Sequence, residues 1–185
     1  MNMKQFTKDD IENIVHKLEG IDLSNINLSK SNLIRANLFG VILTDSNLQG
    51  ANLRGANLSR SNLSKANLTE AKMDPVYLVR ATMHYTVLNR ANLHTANLNS
   101  ADMTKAKLNH CCLIKVQMSG AILNQADLSG AILESANLSM ANLCGANLTN
   151  ANLTNTNLNE AKYDDHTEWP KYFNLHQCGA IHIKY

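Results

Sequence analysis

The sequence predicts an all-β solenoid, and three regularities carry that prediction. Leu or Met occupies every fifth position from Leu23 to Leu158, and Tyr163 closes the series, which makes 29 consecutive pentads over residues 21–165. Two positions before each centre the residue is small or β-branched: Ala in 18 of the 29, and Ile, Val, Ser, Thr or Cys in the rest. One position before the centre, Asn or Asp stands 18 times, while the two positions after it are free and mostly polar.

A period of five suits neither regular element. On a helix five residues advance about 500°, so successive leucines would wrap the whole surface. On a continuous strand they would fall on opposite faces in turn. Only a chain that turns once per pentad returns each centre to the interior. Four turns close a square, and the resulting 20-residue coil stacks on the next at about 4.8 Å through backbone hydrogen bonds. The repeat then makes about seven coils and a rod roughly 35 Å long. A leucine-rich repeat would need a period of about 20–29 residues with several different leucine offsets, and this sequence has one offset only.

Both ends of such a rod need covering, because they expose apolar side chains and unpaired backbone. Residues 1–20 are expected to supply an N-terminal capping helix. Thr7 stands at the N-cap with Asp10 three residues on, Phe6 and Ile11 occupy the staple positions, Ile11, Ile14, Val15 and Leu18 form one stripe, and Gly20 stops the helix. Residues 166–185 are expected to form an aromatic C-terminal cap, since Tyr163, Trp169, Tyr172, Phe173 and Tyr185 are five of the nine aromatic residues of the chain. Within it, Ala180–Tyr185 is a candidate edge strand for a second chain, so the expected state is a monomer or a dimer through a terminal cap.

The 185 residues bound the chain to one domain. Seventeen basic against fifteen acidic residues leave +2, which singles out no class of partner. No run of about 18 apolar residues exists to span a membrane. Met1–Phe6 leads into acidic residues rather than an apolar segment, so a secretory signal is not expected and a cytoplasmic location is, with the four cysteines reduced.

Function is sought on the outward positions. The terminal coils carry Asn, Ser, Thr and Gly, whereas the middle carries Tyr77, Val79, Arg80, His84, Tyr85 and Arg90, the candidate partner-binding residues. Exposed Tyr and Arg beside apolar groups are what a protein-binding patch uses. Charge is uneven along the rod: residues 72–115 hold six Lys or Arg against Asp74 and Asp102, and residues 116–170 hold Lys162 against six acids. Direct nucleic-acid binding is not expected, because the basic groups spread over four faces without an alternating aromatic platform. Catalysis, a cofactor and a metal are not expected either. His84 and His94 fall on opposite faces, His110 falls on a third, and the cysteines lack zinc-ligand spacing. There is no phosphate loop or nucleophile elbow, and Gly40, Gly50, Gly55, Gly120, Gly130 and Gly145 all sit at corners.

The consensus A-(N/D)-L-x-x, as in Ala51-Asn52-Leu53-Arg54-Gly55 and Ala141-Asn142-Leu143-Cys144-Gly145, resembles that of the pentapeptide-repeat proteins, over about four-fifths of the chain. The resemblance implies a right-handed quadrilateral β-helix and a non-enzymatic protein-interaction module or scaffold. The string Ala161–Pro170 is similar to a closing segment of cyanobacterial members. Some members bind DNA gyrase or topoisomerase as mimics of duplex DNA, which is the alternative function. Mimicry needs a strongly acidic surface, and those members carry loop insertions and central Phe residues that this chain lacks.

Overall fold

A computed structural model describes residues 18–184 of the chain. The expected N-terminal helix falls mainly on residues outside that range. From Asp22 onward the backbone pairs with itself in parallel at a fixed offset of 20 residues: Asp22 with Ile42, Asn27 with Asn47, Asn32 with Asn52, Asn37 with Asn57, and so on up the rod. Four series of bridges interleave, one for each wall of a quadrilateral β-helix. The walls are named here by their centres: wall 1 runs through Leu63, Met83 and Met103, wall 2 through Leu68 and Leu88, wall 3 through Met73 and Leu93, and wall 4 through Leu58 and Leu78.

The centres from Leu23 to Leu158 are buried, together with the Ala column two positions before them. These two columns fill the axis of the rod. Where Ser, Thr or Cys replaces Ala, the side chain caps a backbone carbonyl at every place but Ser61: Ser31 Oγ donates to Leu28 O at 2.7 Å, Thr86 Oγ1 to Leu63 O at 2.8 Å and Cys111 Sγ to Leu88 O at 2.8 Å. Burial pushes the Cys111 thiol up to about 12, so it stays protonated. It packs as a small apolar group.

The pentad 56–60 shows why the repeat has five residues. Ala56 N–H closes the turn on Leu53 O at 3.0 Å. Asn57 N–H reaches back one coil to Ala36 O, and Leu58 and Arg60 N–H reach forward to Tyr77 O and Val79 O. Ser59 N–H, which faces no neighbouring coil, is taken by Asn57 Oδ1 at 3.1 Å. Every donor in the pentad is therefore used.

Each corner has its own backbone signature. Every fifth residue from Gly20 to Glu160, Pro75 excepted, has φ between +55° and +71°. A turn closed by a hydrogen bond from its fourth residue to its first, with positive φ at the third, is of type II. Glycine relieves this conformation at seven corners, but Thr95 adopts it at φ +56° despite its branched Cβ. At the Pro75 corner the preceding bond is cis, and Gly55 N–H donates to Pro75 O.

All 18 Asn and Asp residues before a centre accept from the backbone N–H two residues on, at 2.9–3.4 Å; for example, Asp22 accepts from Ser24 and Asn157 from Asn159. Asn57→Ala is expected to cost about 1 kcal/mol, the loss of one such bond. Urea unfolding checks it, with Asn57→Asp, which keeps the acceptor, costing less.

The C-terminal segment holds a finding that the sequence reading missed. The repeat does not stop at residue 165. Asn147 bridges to Glu168, an offset of 21 instead of 20, and Thr167 Oγ1 donates to Leu143 O at 3.0 Å as an Ala-column hydroxyl would. Thr167-Glu168-Trp169 thus takes the places of Ala-Asn-Leu after one inserted residue. Asp164 Oδ1 secures the insertion by accepting from Gly145 N, His166 N and Thr167 Oγ1. Trp169 stacks on Phe173 with ring centroids 5.2 Å apart, and Tyr163 meets Trp169 edge-on at 5.4 Å. Strand β1 (Lys162–Tyr163) pairs in parallel with strand β2 (Ile181–His182), and the His182 ring packs 5.0 Å from that of Tyr163. The candidate edge strand therefore exists, but its inner edge is occupied by its own chain.

Candidate interaction surface

The six candidate residues belong to one coil, and the bridge series decides where each sits. Tyr77 and Val79 lie on wall 4, with Arg80 at the corner leading to wall 1. His84 lies on wall 1, Tyr85 at its far corner, and Arg90 one corner further on. The group wraps three sides of the rod and is not one flat patch. Tyr77 and Tyr85 are each about half exposed, at 49% and 51%, Arg80 and Arg90 are exposed, and Val79 and His84 are half-buried.

This coil differs from its neighbours in its backbone. At its four positions before a centre stand Lys72, Tyr77, Thr82 and Val87, none of which can supply the Asx acceptor. The N–H groups of Asp74, Val79, His84 and Asn89 consequently have no protein acceptor among the described residues. Where Asn or Asp stands before the centre, the equivalent N–H is met by that outward side chain, so these four donors also open outward. The coil through Lys107, Cys112, Gln117 and Ile122 repeats the substitution; there Asn99 Oδ1 takes Ser119 N–H at 2.8 Å from the coil before, while the N–H groups of Asn109, Ile114 and Asn124 have no protein acceptor among the described residues.

Stacking along the rod fixes several polar side chains. His94 Nδ1 lies 3.3 Å from Asp74 Oδ1 on wall 3, one coil away, and Thr95 Oγ1 donates to the same oxygen at 3.1 Å. On wall 1, His84 Nε2 lies 2.8 Å from Asp102 Oδ2. Burial raises the Asp102 carboxyl, but the bonds from Thr104 and the adjacent His84 outweigh it and hold the group below the usual carboxylate range. Lys105 Nζ sits 5.5 Å from the Tyr85 ring centroid, and Arg60 sits 5.8 Å from that of Phe39. These are cation–π contacts across one coil step.

A reading by columns adds residues that the reading by coil passed over. Arg60 stacks under Arg80, and Lys65 stacks under Tyr85 and Lys105, because all are spaced by 20. That spacing was the available signal. Among the described residues no group of three His, Cys, Asp or Glu side chains is placed to hold a metal ion. A depression of about 400 Å³ lies beside Cys144, Asp164 and His166 on the acidic half of the rod. Among the described residues no helix is long and apolar enough to cross a membrane.

The model of the pentapeptide repeats matches in eight copies over residues 17–45, 42–74, 77–113 and 111–150. Among solved structures, HetL of the cyanobacterium Nostoc sp. strain PCC 7120, a pentapeptide repeat protein involved in heterocyst differentiation regulation, is 29% identical over 73% of this chain and 71% of its own, with a TM-score of 0.62. Alr5209, a pentapeptide repeat protein of the same Nostoc, is 35% identical over 52% of this chain and 84% of its own, with a TM-score of 0.31. QnrB1, a plasmid-mediated fluoroquinolone resistance protein, is 19% identical over 92% of this chain and 88% of its own, with a TM-score of 0.39. No curated protein matches the chain. The likeness to HetL carries the right-handed quadrilateral β-helix, and nothing in the matched repeat indicates a catalytic family. The repeat model spans well over half the sequence, and the chain belongs to the pentapeptide-repeat family.

Proposed function

We propose that this chain is a non-enzymatic protein-interaction module: a rod whose central coil, residues 71–90, receives a protein partner. The observation that carries this reading is the coincidence, on one coil, of two half-exposed tyrosines, exposed arginines and four outward N–H donors without protein acceptors. Unmet donors beside aromatic and guanidinium groups are what a partner's carbonyls and side chains complete. The rest of the chain serves the rod. Residues 1–20 cap its start, residues 21–165 form about seven coils, and residues 166–185, which open with the resumed pentad at Thr167-Glu168-Trp169, close its end with the Trp169–Phe173 stack. Cys111, Cys112, Cys144 and Cys178 form no disulfide among the described residues, which suits a reducing cytoplasm. The protein acts as a monomer, or as a dimer in which a second chain adds to the outer edge of β2.

The gyrase-binding alternative is the weaker reading. A duplex mimic presents rows of negative charge, whereas the corners around the central coil carry Arg60, Lys65, Arg80 and Lys105.

Replacing Tyr77, Arg80 and Tyr85 together by Ala, Gln and Ala is expected to leave the melting curve almost unchanged, since all three are exposed. The same variant is expected to lose the partners that the wild-type chain retains in affinity purification with mass spectrometry. An identical set of retained proteins would contradict the assignment.

A further inference from the structure

We infer that wall 1 between the corners at Arg60–Arg80 and Lys65–Lys105 binds an acidic, extended polypeptide segment running along the rod. This rests on the reading of the chain as an interaction module and names the chemistry of its partner. The stacking offset of 20 puts Arg60 directly beneath Arg80 on one corner of the wall, and Lys65 beneath Tyr85 and Lys105 on the other. Four exposed cations thus frame one flat wall from both sides. Between them lie Asn62, Ser64, Thr82, His84, Asp102 and Thr104, with His84 engaged by Asp102. Wall 3, on the opposite side, mixes Glu70, Lys72, Asp74 and Arg90 at the same height and has no such frame.

Two details select a polypeptide as the occupant. An extended chain sends alternate side chains to opposite sides at about 3.3 Å per residue. One row of carboxylates then reaches Arg60 and Arg80 while the other row reaches Lys65 and Lys105, and about four to six residues cover the frame. The outward N–H of His84, without a protein acceptor, lies inside the frame, where a backbone carbonyl or a carboxylate of such a segment meets it. A single-stranded nucleic acid needs stacking platforms as well as cations, and Tyr85 is the single Phe, Tyr or Trp within the frame.

The test titrates the full chain against fluorescein-labelled decaglutamate, with a labelled ten-thymidine oligonucleotide as the competing class, at low and at physiological salt. Decaglutamate is expected to bind in a salt-sensitive manner, about tenfold more weakly to the Arg60→Glu/Arg80→Glu variant, and within about twofold of wild type to Lys72→Glu/Lys115→Glu, which makes the same charge change away from wall 1. Should charge reversal lower the melting temperature, Arg60→Gln/Arg80→Gln reads the same loss. No binding at low salt, equal weakening in both pairs of variants, or equally tight binding of the oligonucleotide would overturn the inference. The capture experiment reads cellular partners through Tyr77, Arg80 and Tyr85. If it succeeds while decaglutamate fails, the interaction module stands and only the acidic occupant falls.

Discussion

Leu93→Asp is expected to unfold the middle of the rod. Leu93 is fully buried on wall 3, in the column between Met73 and Leu113, so an aspartate there has neither water nor a cation. Burying an unpaired carboxylate costs on the order of 4 kcal/mol or more, a large part of the stability of a small domain. Leu93→Ala is expected to cost about 2–5 kcal/mol through the cavity it leaves. Each coil of a solenoid touches only its two neighbours. Amide hydrogen exchange should therefore show the aspartate variant losing protection first in the coils through Met73 and Leu113, and later towards Leu33 and Leu153. Equal loss everywhere would mean that the rod unfolds as one unit.

The second large effect concerns length. Removing residues 46–65 joins Asp45 to Ala66 and leaves every column in register, because 20 residues are one turn of the rod. The shortened chain is expected to keep the circular dichroism of the parent and to lose about one coil's share of stability. Removing Asn92 alone is expected to do far more damage. A side of four residues must either move the Thr95 corner or pull Leu93 off the axis, which leaves an unmet N–H or an exposed leucine. Thermal unfolding of the two deletions compares them directly. A one-residue deletion that melts above the 20-residue one would contradict the pentad account.

Much of this structure is legible from residue types because one rule repeats. Leu at the centre, a small residue before it and a free corner after it are local demands, so Leu58 and Leu148 could be placed inside without any knowledge of the whole. The work of Asn57 and its equivalents was visible only as a frequency. The Oδ1 contact to the N–H two residues on becomes plain once that donor is seen to face no neighbouring coil. Where the rule breaks, the sequence was harder to read. The extra residue in Asp164-Asp165-His166 hid the fact that Thr167, Glu168 and Trp169 resume the repeat, because period counting fails after one insertion.

The candidate surface was half legible. Tyr77, Arg80 and Tyr85 stood out as unusual outward residues along the chain. The frame around wall 1 depends on residues 20 apart, so Arg60 and Lys65 gain meaning only from the column they share with Arg80 and Tyr85. The missing Asx acceptors at Lys72, Tyr77, Thr82 and Val87 could be read from the same sequence once the role of Asn was known.

The claim under all of this is that residues 20 apart are nearest neighbours on one wall. Asn62 and Thr82 are bridged in parallel on adjacent coils, at a strand spacing of about 4.8 Å, within the range that a disulfide spans. In a background with Cys111, Cys112, Cys144 and Cys178 replaced by alanine or serine, Asn62→Cys with Thr82→Cys is expected to oxidise rapidly and almost completely to an intramolecular disulfide, read by mass spectrometry. Asn62→Cys with Val87→Cys, which places the second thiol on the next wall, is expected to stay reduced. Equal oxidation of both pairs, or none in the first, would contradict the 20-residue coil.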